Sequence, residues 1–269
     1  MKIDFHTHCF PDALAERAMA TLVAHDSAEM PVVAHTNGTA NGAKTLLQGV
    51  GINRAVVCNI ATNARQESKV NSFAISLAEQ KDFFFSLGSV HPDSEQKEAE
   101  LDRLAAAGIR GIKLHPDYVG MLITDSRFDV IFSMLEERGM FAIVHAGLDP
   151  ISPNLIHATP QMLAEVLHRH PSLKLVAAHM GGFRLSEDVL RYLVGSDIYL
   201  DTSLSSLRAA ERENLIKILK EHREDRLLFG TDTPWSDPTA EIAFLENAGL
   251  CERRKEKIYC QNATELLGI

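Results

Sequence analysis

Short apolar runs rich in β-branched and aromatic residues recur along the chain. They fall at residues 2–9 (KIDFHTHC), 54–60 (RAVVCNI), 83–90 (FFFSLGSV), 108–115 (GIRGIKLH), 140–147 (MFAIVHAG), 173–180 (LKLVAAHM), 197–203 (DIYLDTS) and 226–232 (RLLFGTD). Each has the length and composition of a buried strand. Between them the apolar spacing turns helical. Residues 65–80 place Val70, Phe73, Ala74 and Leu77 on one face. Residues 94–108 end on Gly108, and 125–139 start on an Asp cap and end on Gly139. Residues 159–171 begin Thr-Pro and end on Pro171, the expected punctuation of a helix.

Regular alternation of strand and helix predicts a parallel sheet with helices outside it. Eight such units fit an α/β (β/α)8 TIM barrel, read as a single domain over 1–269. An open doubly wound sheet would need a glycine-rich turn after its first strand, and HTHCFPDAL has none. The first repeat is long. Its excess, an insertion at about 25–44, carries two Asn-Gly turn signals and follows strand one, on the face where barrel loops surround the active site.

Polar residues interrupt the apolar runs at one end. His6 and His8 lie two apart on strand one, where alternation gives them a common face and Cβ atoms about 6–7 Å apart. Strand four ends with Lys113 and His115, strand five with His145, strand six with His179 and strand eight with Asp232. An apolar strand is a poor place for an imidazole, and these residues all reach the carboxyl rim of the barrel. Groups of this kind can hold a divalent ion. His168 and His170 close a helix, where a histidine favours the dipole, and have no such setting.

Composition narrows the function. Hydrophobic residues are 45% and charged residues 23%, enough for a large core in a soluble protein. The net charge of −9 argues against binding nucleic acid or an anionic membrane surface. No apolar run approaches the ~20 residues of a membrane span. The opening MKIDFHTHCF lacks the apolar segment of a secretory signal, so a cytoplasmic protein is expected. The four cysteines, Cys9, Cys58, Cys251 and Cys260, form no CxxC pair and read mostly as buried, reduced packing residues.

The set IDFHTHCFP, GIKLHP, AHMGG, GTDTPW and the terminal NATELLGI resembles the amidohydrolase superfamily. It is most similar to the amidohydrolase-related group that includes aminocarboxymuconate-semialdehyde decarboxylase. The resemblance spans essentially the whole chain. It implies that His6, His8, His145 and Asp232 bind one divalent ion, often zinc, with His179 beside it as a catalytic histidine. It also implies that Asp232 shuttles the proton of an activated water. Binuclear relatives carry a carboxylated lysine on strand four, so Lys113 either supports a second ion or, with His115, binds a substrate carboxylate. His91 and Arg184 are further candidate substrate contacts. The expected reaction is hydrolysis of an amide, lactone or ester of a small molecule. Non-oxidative decarboxylation of a conjugated or aromatic acid is the alternative. A barrel that has lost its chemistry and serves in binding or regulation is a third reading, but no expected ligand is missing. Phosphoesterase barrels also open on an HxH strand, yet use further ligands that these strands do not carry. Barrels of this kind often pair, so a homodimer is one expectation.

Overall fold

The computed structural model describes residues 1–26, 32–80 and 82–269. Residues 27–31, inside the long first connection, lie outside the described residues. The strands are β1 (Ile3–Thr7), β2 (Arg54–Cys58), β3 (Phe84–Leu87), β4 (Gly111–Leu114), β5 (Phe141–Val144), β6 (Leu175–Ala177), β7 (Tyr199–Asp201) and β8 (Leu227–Leu228). All pairings are parallel, in the orders β1-β2-β3 and β4-β5-β6-β7-β8. Single bridges join the two sheets at both seams. Gly88 pairs with Ile112 between β3 and β4, and Thr7 with Thr233 between β1 and β8. Phe5 N–H also donates to Phe229 O at 2.7 Å and Asp232 N–H to His6 O at 2.8 Å. The eight strands therefore form the ring of a TIM barrel, with helices between them.

Alternating strand residues split the core in two. Ile3, Phe5, Val56, Cys58, Leu87, Phe141, Ile143, Val176, Tyr199 and Leu228 fill the interior. Ala263, Leu266 and Leu267 of the C-terminal helix join them. Their neighbours, such as Val57, Ile112, Val144, Ala177 and Leu200, face the helices. At about 25 cal/mol per Å² of apolar surface, burial of both faces is the main force closing the barrel.

Helix ends largely follow the sequence. Thr159 Oγ1 accepts from Met162 N–H ahead of Pro160, Asp125 accepts from Arg127 N–H, and Gly139 ends its helix at φ 62°. Two expectations fail. Asn41-Gly42 is not a turn, because Thr39 Oγ1 accepts from Gly42 N–H and starts the helix Ala40–Gly49. On the helix Glu67–Glu79 the buried stripe is Glu67, Asn71, Ala74 and Leu77, while Val70 and Phe73 are only half-buried. Glu67 accepts from His91 N–H and the Ser94 hydroxyl, so hydrogen bonds rather than apolar contact hold that end. Cys9 and Cys58 are buried as expected, but Cys251 is exposed and Cys260 half-buried. No helix among the described residues is long and apolar enough to cross a membrane.

Candidate metal centre

A bulge in β1 builds the site. Asp4 pairs with Ala55 but Thr7 with Val57, so β1 carries one extra residue. Plain alternation after the interior Ile3 and Phe5 would turn Thr7 inward. The bulge re-aims the rim so that His6 and His8 face the mouth, a common use of bulges beside active sites. Asp4 secures this path by accepting from His6 N–H and from the Thr7 and Thr231 hydroxyls. Burial lifts its carboxyl to about 7.

Three ligand atoms converge. His8 Nε2 is 3.2 Å from His6 Nε2 and 3.0 Å from Asp232 Oδ1, and His6 Nε2 is 3.3 Å from the same oxygen. The opposite ring nitrogens fix the tautomers. His6 Nδ1 lies 2.9 Å from Asp201 Oδ2, and His8 Nδ1 2.8 Å from Cys58 O. Both acceptors require N–H at Nδ1, so each Nε2 presents a bare lone pair. Burial alone would push the Asp232 carboxyl up, but the positive charge around it, Lys113 included, outweighs it and holds it below the usual carboxylate range. Asp201 is kept low in the same way by His6, Ser203 and Lys113. Two lone pairs and an anionic oxygen thus face one another, and Asp232 Oδ1 has no hydrogen-bond partner among the described residues. Such a group calls for a cation. Spacings of 3.0–3.3 Å suit donors about 2.0–2.2 Å from a shared ion, and a carboxylate or carbonyl behind each imidazole is the usual support of a metal-binding histidine. A divalent ion fits these residues.

The other predicted residues surround this set. Lys113, interior on β4, puts Nζ 3.1 Å from His6 Nε2. His179 stacks on His6 at 5.1 Å. Its Nδ1 is 2.7 Å from Ser203 Oγ, whose own proton goes to Asp201 Oδ1. Nδ1 of His179 therefore carries the ring proton, and Nε2 accepts from His145 Nδ1. Burial, then His145, His6 and Lys113, drive the His179 pKa well below its ordinary value, so the ring is neutral. His145 stands one ring further along, with Nδ1 3.0 Å from His179 Nε2. It does not share the three-atom set. His115 stacks on His145 at 4.2 Å with 11° between planes, and Asp149 Oδ2 lies 3.5 Å from His115 Nε2 and 3.6 Å from His145 Nε2. Imidazole lone pairs lie in the ring plane, so two parallel stacked rings do not aim at one ion. This second trio is a poor metal site, and His115 belongs to it rather than beside Lys113.

Two candidate substrate contacts lie elsewhere. Asp93 N–H donates to His91 Nδ1 at 3.2 Å, and the charges acting on His91 are Asp93, Arg127 and Lys97, none of them in the metal set. Arg184 is exposed, its guanidinium 5.6 Å from the centre of the Phe183 ring. It lines a cavity of about 570 Å³ with Arg208 and Glu211, which no residue of the metal set borders. Asp201 is the residue sequence reasoning missed, although an aspartate closing the apolar run DIYLD was a readable signal.

The backbone is strained where the chemistry gathers. His179 (φ 58°), Met180 (φ 58°) and Asp232 (φ 66°) are left-handed, at about 1–3 kcal/mol each.

Known proteins share this fold. An uncharacterised TIM-barrel protein from Bordetella bronchiseptica superposes with a TM-score of 0.75 at 20% identity, covering 99% of this chain and 98% of that one. The 2,6-dihydroxybenzoate decarboxylase from Rhizobium gives 0.70 at 16%, covering 99% and 98%. The 5-carboxyvanillate decarboxylase from Novosphingobium aromaticivorans, complexed with manganese and 4-hydroxy-3-methoxy-5-nitrobenzoic acid, gives 0.75 at 16%, covering 100% and 96%. At these identities the likeness concerns the fold. No curated protein matches the sequence. The sequence profile of the family described as Amidohydrolase matches residues 3–269. With a profile match over nearly its whole length, the chain belongs to the amidohydrolase family.

Proposed function

We propose that the protein is a metal-dependent decarboxylase of a small conjugated or aromatic carboxylic acid. The observation that carries this reading is the buried Lys113, whose Nζ lies 3.1 Å from His6 Nε2 beside the three-atom set. A fixed ammonium next to a cation site suits a substrate that is itself a carboxylate, whereas a neutral amide or ester needs no such partner. Full-length structural neighbours that act on hydroxybenzoates support the same choice over hydrolysis.

His6, His8 and Asp232 would hold a divalent ion, which would supply positive charge to stabilise electron density building up on the substrate. Lys113 binds and orients the carboxylate. The bond from carbon to the carboxyl group breaks, carbon dioxide leaves, and the electron pair stays on carbon, which takes up a proton. Asp232, ionised at rest, takes a proton from a water and hands it to that carbon, leaving hydroxide to combine with the released carbon dioxide. His179, neutral and with its Nε2 engaged by His145 Nδ1, packs beside His6 and bounds the substrate space as an uncharged wall. Imidazole and carboxylate donors take manganese as well as zinc, and two neighbours hold manganese.

Hydrolysis is the second reading, favoured by the ionised Asp232 carboxylate as a base for a water. The test is a panel of hydroxybenzoic and conjugated acids, lactones and N-acyl compounds, offered to protein loaded with manganese or zinc. Carbon dioxide release from an acid supports decarboxylation. Lactone or amide opening with no carbon dioxide from any acid overturns it.

A further inference from the structure

We infer that Arg208 and Glu211 act as a positioning pair for His179, gripping the turn after β6 from outside the barrel. Arg208 is 3% exposed. Its Nη1 donates to His179 O at 2.8 Å and its Nη2 to Gly182 O at 2.9 Å. Glu211 receives Nε at 2.7 Å and Nη2 at 3.1 Å. The same carboxylate accepts from Ser186 N–H at 2.9 Å, where the next helix starts. One ion pair therefore holds the turn at two carbonyls and one N–H. The Phe183 ring lies 5.6 Å from the guanidinium.

The held segment is unusual. His179, Met180 and Arg184 are left-handed residues other than glycine, with Gly181 at φ 85° between them. Such a path persists only where its surroundings over-determine it. From inside, Asp201 Oδ1 accepts from His179 N–H at 3.1 Å and Ser203 engages Nδ1. From outside, Arg208 takes the carbonyl of the same residue. The His179 peptide is thus fixed on both sides, which sets where Nε2 points. A buried guanidinium is expensive unless its donors are met, and here they are spent on this turn. A lysine would keep the charge beside Glu211 but could not span both carbonyls.

The catalytic consequence rests on the reading of His179 as a residue at the reacting centre, but the positioning does not. The test uses full-length, zinc-loaded protein with Arg208→Lys and Arg208→Ala. Long-range nitrogen–proton spectra of the histidine rings report the His179 tautomer without any substrate. The wild type is expected to show a neutral ring protonated at Nδ1, and both variants a mixture of tautomers. Bound metal should stay at the wild-type level. With an acid that the wild type turns over, kcat should fall about 100-fold with KM within about threefold. Added guanidinium should restore rate to Arg208→Ala but not to His179→Asn. A wild-type His179 spectrum in both variants overturns the proposal, as does a loss of rate that only follows loss of metal and is not rescued. If Arg208→Ala does not fold, Arg208→Lys decides by the same spectrum. If no acid is turned over by the wild type, the functional reading falls while the spectrum still judges the pair.

Discussion

Replacing Asp201 with asparagine should invert the tautomer of His6 and so strip the metal site of a ligand. In the native protein Asp201 Oδ1 accepts from His179 N–H at 3.1 Å, Ser203 N–H at 3.0 Å and the Ser203 hydroxyl, while Oδ2 faces His6 Nδ1 at 2.9 Å. Asparagine has one acceptor oxygen and one NH2 group. Three donors fix its oxygen on the Oδ1 side, so the NH2 confronts His6. Two N–H groups cannot share that contact. The imidazole avoids the clash by moving its proton to Nε2, the atom that lies 3.2 Å from His8 Nε2 and 3.3 Å from Asp232 Oδ1. A ligand becomes a donor pointed at the ion. Loss of the partner behind a metal-binding histidine typically weakens metal binding 10- to 100-fold, about 1.4–2.7 kcal/mol. A tautomer inverted as well belongs at the upper end. Calorimetric titration of chelator-stripped protein with zinc or manganese measures the change, with thermal unfolding alongside to check the fold. A folded Asp201→Asn protein that binds metal within about threefold of the wild type would refute the tautomer assignment.

Other outcomes follow from the same geometry. Glu241 is buried, accepts from the Ser206 and Ser236 hydroxyls, and has its pKa raised by burial to about 8 from 4.5. The folded state keeps a proton that the unfolded chain releases above 4.5, so stability should fall as pH rises from about 4.5 to about 8 and level off beyond, by on the order of 5 kcal/mol at most. Glu241→Gln should flatten that slope in melting temperature, and an unchanged slope would count against the buried acid. In Gly147→Ala, at φ 94°, the new Cβ would lie 2.1 Å from Phe183 N and 2.4 Å from Phe183 O. A loss of at least about 2 kcal/mol in denaturant unfolding is expected, and an unshifted midpoint would contradict the close approach. Lys113→Met should raise KM for an acid substrate more than about tenfold and leave metal affinity intact. Loss of metal would instead mark Lys113 as a ligand.

The barrel and the rim residues were legible because a strand that ends in a histidine or aspartate breaks its own apolar pattern. Strand order and polarity then bring His6, Lys113, His145, His179 and Asp232 to one end without any long-range information. The β1 bulge was not legible, since no glycine or proline in IDFHT marks it, and simple alternation gives the correct spacing for His6 and His8 but the wrong inward residue. Strand ends were overdrawn for a related reason. His145, His179 and Asp232 lie past strands that are only two to four residues long, and left-handed backbone aims His179 and Asp232. The roles of Asp201 and Arg208 depend on which backbone and ring atoms they touch, and residue spacing carries no trace of that. Asn41-Gly42 shows the opposite error: a strong local turn signal lost to a threonine cap three residues upstream.

The seam between β1 and β8 gives the metal centre a second role. β8 has two residues and contributes little ladder of its own, and the seam relies on the Thr7–Thr233 bridge, the Phe5–Phe229 hydrogen bond and the backbone of His6 and Asp232 themselves. An ion bound there ties the first strand of the chain to the last. It is a staple across the closing joint, and its binding free energy adds to the stability of the closed ring. Capture of the ion therefore waits until the final strand has come home. Any lesion that lets the two ends part, however far from the mouth, should be felt first as metal leakage and only later as melting.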